Sequence, residues 1–215
     1  MRSAQSFRKL LRTGRKRLRR LRGHATWALD GRRSSSERDR RLSYVVIESQ
    51  NLWANFVRAY LLSCLTSPRW RNGGVITLGN AAVQLPGDVL HLGARAARGP
   101  HAAAPTSRRE EPRWWETGVF LKTCQDMQCS HFPDVQAALS AQTRALYDMP
   151  TFRNFYAHRN DETAERAVRL ARRQYLIAGV RHPTAALATP ALNRPQALVL
   201  DWLDEIGVLM ELLCE

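Results

Sequence analysis

The chain has 215 residues, 44% of them hydrophobic and 24% charged, which excludes a wholly disordered polymer and is long enough to bury a core without disulfide or metal staples. Lys and Arg number 33 against 19 Asp and Glu, a net charge of +14, and 30 of the 33 cations are Arg. Such a surplus points to a polyanionic partner, most simply nucleic acid.

The charge is uneven. Residues 1–41 hold 15 Lys/Arg and 3 Asp/Glu, so they carry +12, and residues 42–215 carry only +2. This reads as a basic N-terminal arm, residues 1–40, attached to a nearly neutral helical domain, residues 41–215. No apolar run approaches the roughly 18 residues that span a bilayer. The N-terminus lacks the apolar stretch of a secretory signal, although an Arg- and Ser-rich, acid-poor leader also fits an organellar transit peptide. A cytoplasmic location without membrane contact is expected. Cys64, Cys124, Cys129 and Cys214 include no C-x-x-C pair and no zinc-finger spacing to a His, so they read as four reduced thiols.

In chain order, Phe7, Leu11, Leu18 and Leu21, joined by Leu10, give a narrow apolar stripe that predicts a basic amphipathic helix over 3–22, weakened at Gly14 and ended at Gly23. Residues 30–41 read as a linker. Val45, Leu52, Trp53, Phe56, Val57, Tyr60 and Leu61 predict a central helix over 39–66, stopped by Ser67-Pro68. Residues 67–113 are irregular. Within them, residues 75–78 and 82–85 flank Gly79-Asn80 as the arms of a small β-hairpin. A short helix is expected over 88–98 and an exposed loop over 99–112. Helices follow over 116–129, 133–147, 149–158 and 162–178, the last capped by Asn160-Asp161. Residues 179–195, with three prolines, read as a loop, and 194–214 as a final helix with Trp202, Leu203, Ile206, Leu209 and Met210 on its face. The fold class is an all-α bundle with one irregular insertion.

The chemistry-bearing string is Phe152-Arg153-Asn154-Phe155-Tyr156-Ala157-His158-Arg159-Asn160-Asp161. Arg153 and His158 stand about 140° apart around a helix. Arginine stabilises phosphate charge as it builds, and imidazole moves protons near neutral pH, so the pair suits phosphodiester chemistry.

Arg-Asn, three further residues, His and then Arg-Asn resembles the R-x4-6-H signature of the HEPN superfamily. Glu48-Ser49-Gln50-Asn51-Leu52-Trp53 is similar to the long first helix of its ribonuclease-like members, Pro112-Arg113-Trp114-Trp115 to their Trp-rich turn, and residues 160–176 to the helix after the motif. The resemblance covers roughly residues 40–213. It implies an all-α bundle that dimerises, bringing two motifs into one cleft. It also implies metal-independent endoribonuclease activity without a cofactor, of the toxin or phage-defence kind, with a cognate antitoxin as a further partner. In that scheme His158 is general base and acid, Arg153 holds the scissile phosphate and Asn154 orients His158. One toxin branch carries Tyr two residues after the His, where a nucleotidyltransferase antitoxin modifies it. Asn160 stands there, so neutralisation by that route is not expected. RNA contacts are expected from Arg159 and from Arg8, Lys9, Arg12, Arg15, Lys16, Arg17, Arg19 and Arg20 of the arm. A non-catalytic nucleic-acid-binding or dimerisation module is the alternative.

Overall fold

A computed structural model describes residues 7–69, 74–140 and 144–214. Among them are nine α-helices and no sheet: α1 Phe7–Leu29, α2 Ser35–Cys64, α3 Pro86–Arg98, α4 Thr117–Asp126, α5 Phe132–Ser140, α6 Arg144–His158, α7 Asp161–Gln174, α8 Pro183–Ala188 and α9 Leu198–Cys214. The all-α expectation therefore holds. Residues 3–6 of the expected first helix lie outside the described residues. The chain forms two compact units. The first takes Met1–Arg15, Leu52–Gln142 and Val208–Glu215, and the second Lys16–Asn51 and Thr143–Gly207.

The boundary at residue 40 is not where the chain divides. The stripe of α1 is buried at Phe7, Leu10, Leu11, Leu18 and Leu21, so this helix is part of the core and not a separate arm. In the first unit Phe7 stacks on Tyr60 at 4.6 Å between centroids. In the second, Leu18 sits against Gly207. Nor does Gly23 end α1. Ala25 and Ala28 extend the same stripe into full burial, which outweighs a glycine cost of about 1 kcal/mol. The linker is short because Ser34 caps α2. Its hydroxyl accepts from the Glu37 N–H at 3.3 Å, and the Glu37 carboxylate accepts from the Ser34 N–H at 3.0 Å, a reciprocal capping box.

The core of the first unit is aromatic. Trp53 lies near Phe56 and meets Phe120 edge-on, and Phe120 meets Tyr60 edge-on at 5.6 Å. Arg58 of α2 grips Glu111 through Nε and Nη2 at 2.6 and 2.8 Å, and the Trp114 indole N–H donates to the same carboxylate at 2.9 Å. The Glu111 side chain is only 6% exposed, so these donors balance the desolvation of its charge. They also hold its pKa below the ordinary glutamate value against the burial that raises it.

No hairpin forms across Gly79-Asn80. Leu78 bridges to Cys129, Gly79 N–H donates to Gln128 O and Ser130 N–H to Thr77 O. The second arm has its amides engaged elsewhere. Ala82 N–H donates to the Asn80 side chain, and Gln84 and Leu85 N–H both donate to the Asp88 carboxylate at the start of α3.

In the second unit Phe152 and Tyr175 meet Trp202 edge-on, and the Trp202 indole N–H donates to Tyr175 Oη at 2.9 Å. Of the expected helix over 133–147, residues up to Ser140 belong to α5, 141–143 lie outside the described residues, and 144–147 belong to α6, which runs through Pro150 to His158 without the expected break before Met149. Burial of Met149 and Phe152 on either side of Pro150 holds the helix where proline removes one hydrogen bond. The expected loop over 179–195 contains α8. His182 caps it by accepting the Thr184 N–H through Nδ1, and Pro183 occupies its first turn.

Candidate functional site

The last two turns of α6 bury one side and expose the other. Phe152, Phe155 and Tyr156 face the core, Arg153, Ala157 and His158 are exposed, and Asn154 is half-buried. This is helical period acting on Phe-Arg-Asn-Phe-Tyr-Ala-His. Asn154 and His158 are one turn apart on the same side, and Arg153 is one position round from Asn154. Among the described residues no side-chain hydrogen bond joins the three to one another or to anything else. Arg153 and His158 are exposed and so open to a ligand arriving from solvent, and Asn154 is only half-buried.

His158 closes the helix. Arg159 adopts a left-handed conformation (φ 47°), and its N–H donates to Phe155 O, the single-bond αL cap. Asn160 then caps α7 by accepting the Thr163 N–H at 2.9 Å. The second Arg-Asn of the string thus builds a two-residue corner between α6 and α7.

Arg159 does not stand free for RNA. Its Nη1 donates to Asp39 Oδ2 at 2.6 Å, and its guanidinium lies 5.6 Å from the Tyr156 ring centroid. Asp39 also accepts from the Thr184 hydroxyl, which contacts Tyr156 Oη at 2.9 Å. Burial pushes the Asp39 pKa up, but the hydrogen bonds from Thr184 and Arg159 outweigh it and hold the carboxyl below its ordinary range. This network ties α2 and α8 to the corner that follows His158. Beside it opens a cleft of about 380 Å³ lined by Ser35, Ser36, Arg38, Asp39, His182 and Thr184. Arg153 and His158 are not among its lining residues.

The basic positions of α1 form its exposed side. Arg8, Lys9, Arg12, Arg15, Lys16, Arg17, Arg19 and Arg20 are all exposed. Arg15 pairs with Glu211 at 2.8 Å and Arg17 with Glu48 at 3.5 Å. Arg8, Arg12, Lys16, Arg19 and Arg20 make no ion pair among the described residues. Further along, Arg33 and Arg41 both lie over the Trp27 ring, 4.3 and 4.6 Å from its centroid. Arg41 also contacts His24, whose pKa is lowered by burial and then by Arg41 and Arg20.

Trp53, Trp114 and Trp202 are buried core residues, and Trp115 is half-buried. Asp39, Tyr156 and Thr184 went unseen from the sequence. Asp39 and Thr184 are 145 residues apart, and only Ser34-x-x-Glu37 and His182-Pro183-Thr184 signal that two helix starts lie there. No group of three or more His, Cys, Asp and Glu among the described residues is arranged to hold a metal ion, and no helix there is long and apolar enough to cross a membrane. Comparison with protein-family models, curated proteins and solved structures finds no match to this chain.

Proposed function

We propose that this chain is a metal-independent endoribonuclease of the HEPN type, a toxin or phage-defence effector that acts as a homodimer. The observation that carries the reading is that Arg153, Asn154 and His158 at the end of α6, three groups suited to RNA cleavage, have no side-chain hydrogen bond among the described residues. The corner beside them is fixed by the hydrogen bonds of Asp39 with Thr184 and Arg159, which holds the helix end that carries these side chains.

In this mechanism His158 accepts the proton of the ribose 2′-OH, which attacks the adjacent phosphorus. The P–O5′ bond breaks, the leaving 5′ oxygen takes a proton from imidazolium, and the products are a 2′,3′-cyclic phosphate and a 5′-OH. Arg153 neutralises the phosphate charge as it develops. Asn154, one turn before His158, orients the imidazole or the bound strand. A second copy of the motif supplies the opposite wall of the cleft. The exposed cations of α1 hold RNA by its phosphates, independent of sequence.

Incubation of purified wild type and His158→Ala with total RNA tests this. Wild type should cleave in the presence of EDTA and leave cyclic phosphate ends, and the variant should not. Strict dependence on Mg²⁺, or equal cleavage by both proteins, overturns the mechanism. Light scattering at micromolar concentration should give a dimer, and a fully active monomer removes the composite site. A non-catalytic RNA-binding module is the second reading. It is favoured by the absence of any hydrogen bond joining Arg153 and His158 within one chain, and it would give RNA retention without cleavage.

A further inference from the structure

Within the second unit α1 and α2 run antiparallel. Arg38 Nε donates to Ala28 O at 3.2 Å, Arg41 Nη1 lies 2.9 Å from His24 Nδ1, and Arg17 pairs with Glu48 at 3.5 Å. Outside its buried stripe α1 carries Lys16, Arg20, His24 and Trp27 at helical spacing, and α2 carries Arg41 and Tyr44 one turn apart. Arg33, from the connection, joins Arg41 over the Trp27 ring, at 4.3 and 4.6 Å from its centroid.

Donors and aromatic rings outnumber acceptors along this seam. A guanidinium only donates, so His24 accepts from Arg41 at Nδ1 and carries its own proton on Nε2. Among the described residues Lys16, Arg20 and Arg41 make no ion pair, and Arg33 meets one carboxylate, Asp30, at 3.8 Å. Cations gathered this closely repel one another unless a counter-charge lies among them. Tyr44 is 42% exposed and touches His24 edge-on at 5.1 Å between centroids, and its hydroxyl makes no hydrogen bond among the described residues. Leu42, Val45 and Val46 on either side of it carry the burial of this turn of α2, so the core is complete without the Tyr44 ring.

We propose that this seam binds single-stranded RNA, an unpaired base stacking on Tyr44 while Arg20, Arg33 and Arg41 take the flanking phosphates. Trp27 is the strut under the two guanidiniums. Charge alone serves a duplex as well as a single strand. An exposed ring among the cations serves only a strand whose base faces are free, because a duplex keeps those faces inside its own stack. Lys16 to Trp27 covers about 16 Å of helix at 1.5 Å per residue, room for roughly four to five stacked nucleotides at 3.4 Å each. The site rests on RNA being the ligand proposed above and not on its cleavage by Arg153 and His158.

Fluorescence anisotropy of the full chain with a labelled 12-nucleotide 2′-O-methyl RNA tests this. That probe lacks the attacking hydroxyl, so binding is read without cleavage. An abasic phosphodiester strand of the same length and the blunt duplex are the comparison probes. Wild type should bind the base-bearing strand at least roughly 5-fold more tightly than the abasic one. Tyr44→Ala should weaken the base-bearing strand roughly 5- to 150-fold, one stacked base at about 1–3 kcal/mol, and leave the abasic strand and the duplex unchanged. Tyr44→Phe should bind as wild type. If Tyr44→Ala loses the wild-type circular dichroism, the wild-type comparison of base-bearing and abasic strands decides alone. Equal affinity for those two strands, or a Tyr44→Ala variant that weakens none of the probes or all three alike, overturns the proposal. Binding to phosphatidylserine vesicles that the single strand does not displace assigns the seam to a membrane and overturns it as well. The expected affinities together with total RNA left uncut by wild type remove the nuclease and keep the site.

Discussion

Asp39→Ala separates what holds the α6–α7 corner from what acts there. In the wild type one carboxylate accepts from the Thr184 hydroxyl and from Arg159, and nothing replaces it in the variant. Thr184 is buried at 5% exposure, so losing a hydrogen bond to a charged acceptor there costs about 1.5–3 kcal/mol. The Arg159 side chain is 49% exposed and rehydrates, so the ion pair adds about 0–1 kcal/mol. The loss is smaller than the sum because Thr184 keeps its contact to Tyr156. The expected destabilisation is about 2–3 kcal/mol, or roughly 5–10 °C in Tm for a chain of this size. Urea unfolding followed by circular dichroism measures it. The sign of the pH dependence is fixed. The folded pKa lies below the ordinary 3.8, so the unfolded chain takes up this proton at higher pH. The stabilisation is complete above that value and is lost as pH falls through the folded pKa. Wild type and Asp39→Ala should therefore converge in acid. A difference below about 0.5 kcal/mol at neutral pH, or one that widens in acid, refutes the reasoning.

Arg153→Ala and His158→Ala remove exposed side chains, so stability should change by no more than about 0.5 kcal/mol. For His158→Ala, cleavage measured on the same preparation should fall roughly 10²- to 10⁴-fold. Glu111→Ala leaves Arg58 and the Trp114 N–H without their acceptor, and denaturant titration should show a loss of about 2–4 kcal/mol. Replacing Arg8, Arg12 and Lys16 together by Gln should lower the log–log salt slope of RNA binding by about 0.7 per lost phosphate contact and leave the cleavage pattern unchanged. Deleting α1 instead should unfold the protein, because Phe7, Leu10, Leu11, Leu18 and Leu21 would leave the core with it.

What could be read from the sequence follows from how local each determinant is. The Trp202-Leu203-Ile206-Leu209-Met210 pattern of α9 and the Trp53-Phe56-Val57-Tyr60 pattern of α2 are periodic over several turns, and both helices are found there. The stripe of α1 is equally legible, and the dense charge beside it marks only the solvent side. The apolar side, continued through Ala25 and Ala28, is what puts α1 in the core. The hairpin does not form because the Asn80 and Asp88 side chains outcompete a ladder for the amides of Ala82, Gln84 and Leu85, a choice made by two polar side chains and not by hydrophobic alternation. The exposure of Arg153 and His158 was predictable from Phe152, Phe155 and Tyr156 around them. The Asp39–Thr184 contact was not, because it depends on tertiary approach alone.

Helices α1, α2 and α9 each contribute residues to both compact units, so neither unit is a contiguous stretch of chain. During synthesis neither unit is complete before α9 is made, the first lacking the segment from Val208 onward and the second the first turns of α9. Neither core closes on the ribosome until α9 emerges, and the long sequence separation of its contacts makes closure slow. For the same reason no single pair of cuts excises either unit intact. A chain still short of α9 therefore holds Arg153 and His158 on an unfinished scaffold.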